Sequence, residues 1–253
     1  MKMSHERRVF ADFDIKDPEG LEVDLSPSDS KHLRTVLRLS SGSPVTVVEK
    51  TSGQSYEAVV VSVDQTDRVQ VKLLKSHEMA SSRSPVATLI FALCKNPVND
   101  LVCEKAAEMG VDRLIFWQAE RSVLKLKGTE SSAKIERWLK ISESAARQSQ
   151  KSHIMSVQLA TSEAQLFETL NSAVATGDIK LCCSLSKESV ALRNLNRPSG
   201  RAHLLVGPAG DLTPAEEARL IRDGFARVTL GPCLLRAETA AIAAIASVQA
   251  VWG

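Results

Sequence analysis

Aromatic side chains are scarce in this chain: three Trp, one Tyr and six Phe among 253 residues. So few aromatic faces argue against a surface built to stack many bases. No apolar run approaches the ~18 residues that span a bilayer. The opening "MKMSHERRVF" lacks the apolar core of a signal peptide, so neither a membrane span nor secretion is expected. Five cysteines, Cys94, Cys103, Cys182, Cys183 and Cys233, form no CxxC pair. Reduced, partly buried thiols in a cytoplasmic protein are the expectation. Cys182 and Cys183 lie within the apolar "IKLCCSL" and read as core thiols. No His/Cys/Asp cluster has ligand spacing, so no metal is expected. Internal repeats and low-complexity tracts are absent as well.

The net charge is only +2, which by itself does not single out nucleic acid. Its distribution says more. Arg7 and Arg8 sit together, Lys31, Arg34 and Arg38 form a second group, and Arg137, Lys140, Arg147 and Lys151 a third. Such groups are commonly solvated helix faces, but three of them in a nearly neutral chain also suit a phosphate-bearing partner.

Two patterns divide the chain. Residues 1–75 are rich in Val with period-2 stretches, "VTVVEK", "SYEAVVVSV" and "RVQVKLL", separated by the turn signals "TSGQ" and "DQTD". Within them "SPSDSKHLRTVLRLSSG" has a Ser/Asp helix start and helical spacing of His32, Leu33, Val36 and Leu37. Several short strands and one short helix suggest a small β-barrel. Residues 76–85 have linker composition. From 86 to 253 apolar strands alternate with helices, so a mostly parallel sheet with helices on both faces is expected. Ligands of such sheets sit outside the carboxyl ends of the strands.

Two loops stand out there. "VGPAGDLTPAEE" runs from an apolar strand into a helix start whose Glu216 follows Thr213 at capping-box spacing. It contains neither GxxxxGK nor GxGxxG, so it is not a known phosphate loop, and a plain strand-to-helix turn would account for it equally. "LGPCLLRAETA" places Arg236, Glu238 and Thr239 where an Ala-rich apolar helix begins. Helix capping and dipole compensation are one reading of Glu238 and Thr239.

These loops, with "HLRTVLRLSSG", "CEKAAEMGV", "AERSV" and "ERWLKISESAARQS" in order before them, resemble the SPOUT class of S-adenosylmethionine-dependent RNA methyltransferases. They are most similar to the family that methylates N3 of a uridine in bacterial small-subunit ribosomal RNA. The resemblance implies a PUA-like, RNA-binding β-barrel over 1–75, a SPOUT α/β domain over 86–253 with a trefoil knot, and a cytoplasmic homodimer. It implies S-adenosylmethionine as cofactor, held by Ser184, Val206, Gly207, Pro208, Gly210, Leu230, Gly231, Leu235 and Arg236. RNA would meet Arg8, Arg34, Arg38, Arg121 and Gln148. The chemistry asks for a cation beside the base oxygens as N3 loses its proton; Arg236 is the first candidate and Arg8 the second. None of the five histidines has a readable acidic partner, and no general base declares itself.

The chain departs from the family pattern at Ala209, Asp211 and Cys233, where Glu, Gly and Arg are usual, and at "RQSQK", where EQxGR is usual. Two alternatives therefore stand beside the uridine-N3 reading: a SPOUT enzyme acting on another RNA nucleotide, and a non-catalytic RNA-binding paralogue.

Overall fold

The Val-rich alternating stretches of the first third form one sheet in the computed structural model, which describes residues 7–13, 18–50, 53–63, 68–77, 84–149, 151 and 153–253. The chain divides into two compact units. The first holds the described residues of Met1–Ser82 together with Ala146–Ile154; the second holds Arg83–Ala145 and Met155–Gly253. The turn expected at "DQTD" and most of the 76–85 linker lie outside the described residues.

In the first unit, β1 (Arg8–Ala11), β2 (Glu22–Asp24), β3 (Pro44–Glu49), β4 (Ser55–Val63) and β5 (Val69–His77) lie in the order β1-β3-β4-β5-β2. Only β1–β3 is parallel. Among the described residues no ladder joins β1 to β2. Alternate residues, such as Val45, Val47, Ala58, Val60, Val71 and Leu73, fill one core. Ala146 and Ile154 pack against Phe10 and Val48 in a separate cluster. The expected helix starts as α1 (Pro27–Lys31), with Ser26 Oγ accepting from the Asp29 amide at 3.1 Å. It then widens into a π-turn over His32–Val36, with the Leu37 amide reaching the His32 carbonyl. Arg38 leaves this turn at φ 51°, so Arg34 and Arg38 do not share one helical face.

The second unit is a seven-stranded parallel sheet. Its strands are β6 (Val86–Ala92), β7 (Arg113–Trp117), β8 (Ser156–Ala160), β9 (Ile179–Cys183), β10 (Val190–Ala191), β11 (Ala202–Val206) and β12 (Phe225–Thr229), in the order β10-β12-β9-β11-β6-β7-β8. The helices are α2 (Asn96–Glu108), α3 (Thr129–Gln148), α4 (Glu163–Asn171), α5 (Pro214–Arg222) and α6 (Ala237–Trp252). Apolar runs without polar alternation belong to strands covered on both faces, and the packing agrees. Leu89, Phe91, Leu114, Phe116 and Leu204 meet Val102, Trp138, Ala244 and Ile245 of α2, α3 and α6 on one face. Ile90, Ile115, Trp117 and Leu205 meet Leu166, Leu170 and Leu220 of α4 and α5 on the other. Among the described residues no helix is long and apolar enough to cross a membrane, and no group of His, Cys, Asp or Glu could hold a metal ion.

Candidate functional site

Four neighbouring strands, β12, β9, β11 and β6, end on the same side of the sheet, and their carboxyl ends open into one cavity of about 870 Å³. The wall after β6 gives Cys94 and Lys95; that after β9 gives Cys183, Ser184 and Leu185. The bend after β11 gives Val206 to Asp211, and the bend after β12 gives Leu230 to Glu238 with the exception of Pro232. A crevice outside the carboxyl ends of parallel strands is where such sheets bind ligands.

Local chemistry shapes each wall. A Cβ added at Gly207 would lie 3.2 Å from Leu212 Cγ, so a larger residue there would push the Leu212 side chain back by a few tenths of an ångström. Asp211 takes φ 61°, a conformation Asp tolerates, and its Oδ1 accepts from the Leu212 amide at 2.8 Å. Asp211 thus holds the left-handed bend with its own side chain. The capping box forms: Thr213 Oγ1 accepts from the Glu216 amide at 3.2 Å, and Glu216 Oε2 accepts from the Thr213 amide at 2.9 Å. Glu216 Oε1 also accepts from the Glu120 amide at 2.8 Å, and Arg121 Nη1 donates to the Gly210 and Leu212 carbonyls. The loop is therefore tied to the segment after β7.

Across the cavity, Gly231 bends the chain at φ 123°, and Thr229 Oγ1 accepts from its amide at 3.2 Å. Arg236 is the N-cap of α6, but its side chain makes no capping bond; its carbonyl takes the Ala240 amide instead. Ser184 is held from two sides. Its amide donates to the Val228 carbonyl, and its Oγ lies 3.4 Å from Glu217 Oε1, which Arg227 Nε approaches at 2.7 Å. Among the described residues no hydrogen bond or ion pair engages the side chains of Lys95, Arg236 or Glu238.

Three thiols line this cavity. Burial pushes the Cys94 thiol up, against the Ala209 amide that donates to it, and Glu238 raises it further. Cys183, half-buried at the wall, is pushed up to about 12 by desolvation, as is Cys103 in the core. Cys233 alone is exposed. A thiol-specific disulfide reagent should therefore titrate a single fast thiol in the native protein, and Cys233→Ser should abolish that phase while leaving the slow ones. A fast phase that survives the substitution would contradict the exposure seen here.

A model of the RNA methyltransferase domain matches residues 82–249. The chain belongs to this family. A Mycobacterium bovis ribosomal RNA small subunit methyltransferase E is 32% identical over 219 residues, covering 86% of this chain and 82% of that one. Among solved structures, a Legionella pneumophila protein with the cofactor SAM bound superposes with a TM-score of 0.85 at 25% identity, covering 98% of each chain. A Neisseria gonorrhoeae ribosomal RNA small subunit methyltransferase E bound to S-adenosyl methionine gives 0.81 at 26% identity, covering 98% and 99%.

In this member of the RNA methyltransferase domain family, all nine residues read as cofactor-binding line the one cavity: Ser184, Val206, Gly207, Pro208, Gly210, Leu230, Gly231, Leu235 and Arg236. The residues read as RNA contacts are dispersed. Arg121 borders the cavity through Gly210, whereas Arg8, Arg34, Arg38 and Gln148 belong to the first unit. Arg8 is 4% exposed within β1, and Arg38 and Gln148 are exposed. Sequence reasoning missed Cys94, Lys95, Val98 and Val123 as lining residues. Finding Cys94 and Lys95 required the strand order, because β6 reaches the site only by lying beside β11.

Proposed function

We propose that this chain is a S-adenosylmethionine-dependent methyltransferase acting on N3 of a uridine in small-subunit ribosomal RNA. The observation that carries the reading is the convergence of both glycine-bearing bends, after β11 and after β12, on one cavity. Its residues fit the cofactor. Val206, Leu230 and Leu235 offer apolar surface, the bends at Gly207, Gly210 and Gly231 bring backbone groups close, and unengaged charges of both signs stand at its edge. When bound, the cofactor supplies a methyl group already activated by its sulfonium, so the protein's contribution is chiefly alignment. Arg236, exposed at the start of α6, offers a cation to the oxygens of the uracil as negative charge develops. The target base turns out of its RNA fold to reach this depth.

The reading extends to the remaining parts. The five-stranded sheet is a PUA-like barrel and RNA platform, with Arg34, Arg38 and Gln148 from its unit and Arg121 from the other contacting RNA, while Arg8 is buried in β1. Residues 1–75 and 86–253 correspond to the two domains. The segment ending in α6 is threaded as a trefoil knot, a rare topology; β9 lying between β12 and β11 suits such a crossing. The protein is a cytoplasmic homodimer. Val123, Leu185 and Leu234, at 62%, 59% and 81% exposure, form an apolar rim at the cavity, as an interface would require.

Titration calorimetry with S-adenosylmethionine should show one cofactor bound per chain. Incubation with small-subunit ribosomal RNA from a strain lacking this gene should then restore N3-methyluridine, read by mass spectrometry. Binding of RNA with no heat from the cofactor would assign the chain to a non-catalytic RNA-binding role; a different modified nucleotide would reassign the substrate.

A further inference from the structure

N3 of uracil carries a proton that ionises only above neutrality, so methylation there needs an acceptor for it. Among the described residues that line the cavity there is no histidine or tyrosine, and only Asp211 and Glu238 carry carboxylates. Asp211 is committed elsewhere: its Oδ1 accepts from the Leu212 amide, and the side chain holds the left-handed bend. The Cys94 and Cys183 thiols are held protonated by burial, and Cys233 lies on the exposed lip. Glu238 is different. It is half-buried in the first turn of α6, two residues after Arg236, and near Cys94 at the end of β6. Among the described residues no hydrogen bond or ion pair occupies its carboxylate. Its carboxylate lines the cavity beside Arg236 and is left open to a ligand there.

We propose that Glu238 is the catalytic proton acceptor of this site, a role that rests on the methyltransferase reading above. The N3–H bond breaks and its proton passes to a Glu238 oxygen. The electron pair left on N3 forms the new bond to the methyl carbon. The carbon–sulfur bond breaks with its pair going to sulfur, and the sulfonium becomes a neutral thioether. Arg236, two residues away on the same cavity edge, faces the oxygens on which the charge of the deprotonated ring resides. The pair divides the work: one side chain takes the proton and the other stabilises the anion.

The test compares Glu238→Gln and Glu238→Asp with the wild type by three measurements: cofactor Kd by calorimetry, melting temperature, and single-turnover rate against pH at saturating cofactor. The Gln variant should keep its Kd within about threefold and lose at least about a hundredfold in rate near neutral pH. Its rate should then climb about tenfold per pH unit above neutrality, because hydroxide takes over the deprotonation, while the wild-type rate rises less steeply. The Asp variant should recover part of the rate. A Gln variant with a much weakened Kd would overturn the proposal, since the carboxylate would then hold the donor's cationic groups. So would a uniform loss at every pH accompanied by a lowered melting temperature, which is the signature of a helix-terminus role. Wild-type protein that binds cofactor but never forms N3-methyluridine would overturn the underlying reading and this proposal together; loss confined to the variants leaves that reading standing.

Discussion

Arg236→Ala should lower the single-turnover rate by about 10²–10³-fold while costing cofactor affinity and melting temperature far less, since the loop would meet the cofactor largely through its backbone. The size follows from removing one cation aimed at developing negative charge, typically about 3–4 kcal/mol of transition-state stabilisation. The selectivity follows from how α6 begins. The Arg236 carbonyl, not its guanidinium, receives the Ala240 amide, and the side chain makes no capping bond. Truncating an exposed side chain without such contacts usually shifts stability by no more than about 0.5 kcal/mol. Arg236→Lys should restore only part of the rate, because an ammonium keeps the charge but loses the planar fork that two ring oxygens can share. Parallel losses of melting temperature and rate would instead assign Arg236 to holding the loop.

What was readable in the sequence was whatever local chemistry decides. Thr213 and Glu216 stand at capping-box spacing, and both halves of the box form. The uninterrupted apolar run at 86–92 demanded cover on both faces and has it, with Phe91 and Ile90 entering opposite cores. The two glycine-bearing bends were recognised by resemblance, and they meet. What depends on the order of strands was not readable. Cys94 and Lys95 join the cavity because β6 lies beside β11, a pairing separated by over a hundred residues. For the same reason Ala146–Ile154 groups with the first unit through Phe10 and Val48, although its first three residues are the last turn of α3, most of which belongs to the second. Helical spacing at His32–Leu37 was legible, but the widening to a π-turn and the reversal at Arg38 were not; side-chain periodicity does not report which carbonyl an amide selects. Arg8 was named as an RNA contact by resemblance, and the strand that buries it to 4% exposure gave only a four-residue signal.

The second large effect lies at the other end of the strands. Asp178→Ala should destabilise the protein by about 3 kcal/mol or more while sparing the catalytic rate of the folded fraction. Asp178 precedes β9, and its carboxylate accepts from the Arg201 amide at 2.7 Å, the Ala175 amide at 2.9 Å and His203 Nε2 at 2.9 Å. Removing it strands the Arg201 amide and the fully buried His203 ring, at about 1–3 kcal/mol each where relaxation does not relieve them, while water can reach the exposed Ala175 amide. A chain of this size should lose about 6–12 °C in melting temperature for 3 kcal/mol. The neighbourhood has no room to adjust: a Cβ at Gly200 would lie 2.2 Å from Asp178 Oδ1 and 2.7 Å from the Gly177 carbonyl carbon. The same pair sets an acid dependence. Burial lowers the His203 pKa, against the pull of Asp178, so the native ring stays neutral where the unfolded one protonates. Stability from this group is therefore full above about pH 6.5 and lost as pH falls through that value toward the native pKa. Burial pushes the Asp178 carboxyl up, but the hydrogen bonds from Arg201, Ala175 and His203 outweigh it and leave it below its ordinary value. Its stabilisation is present above about pH 3.9 and lost as pH falls further. His203→Gln should accordingly flatten the decline of melting temperature just below pH 6.5. An unchanged slope there would mean that other groups carry the acid sensitivity and that the ring is already protonated in the native state.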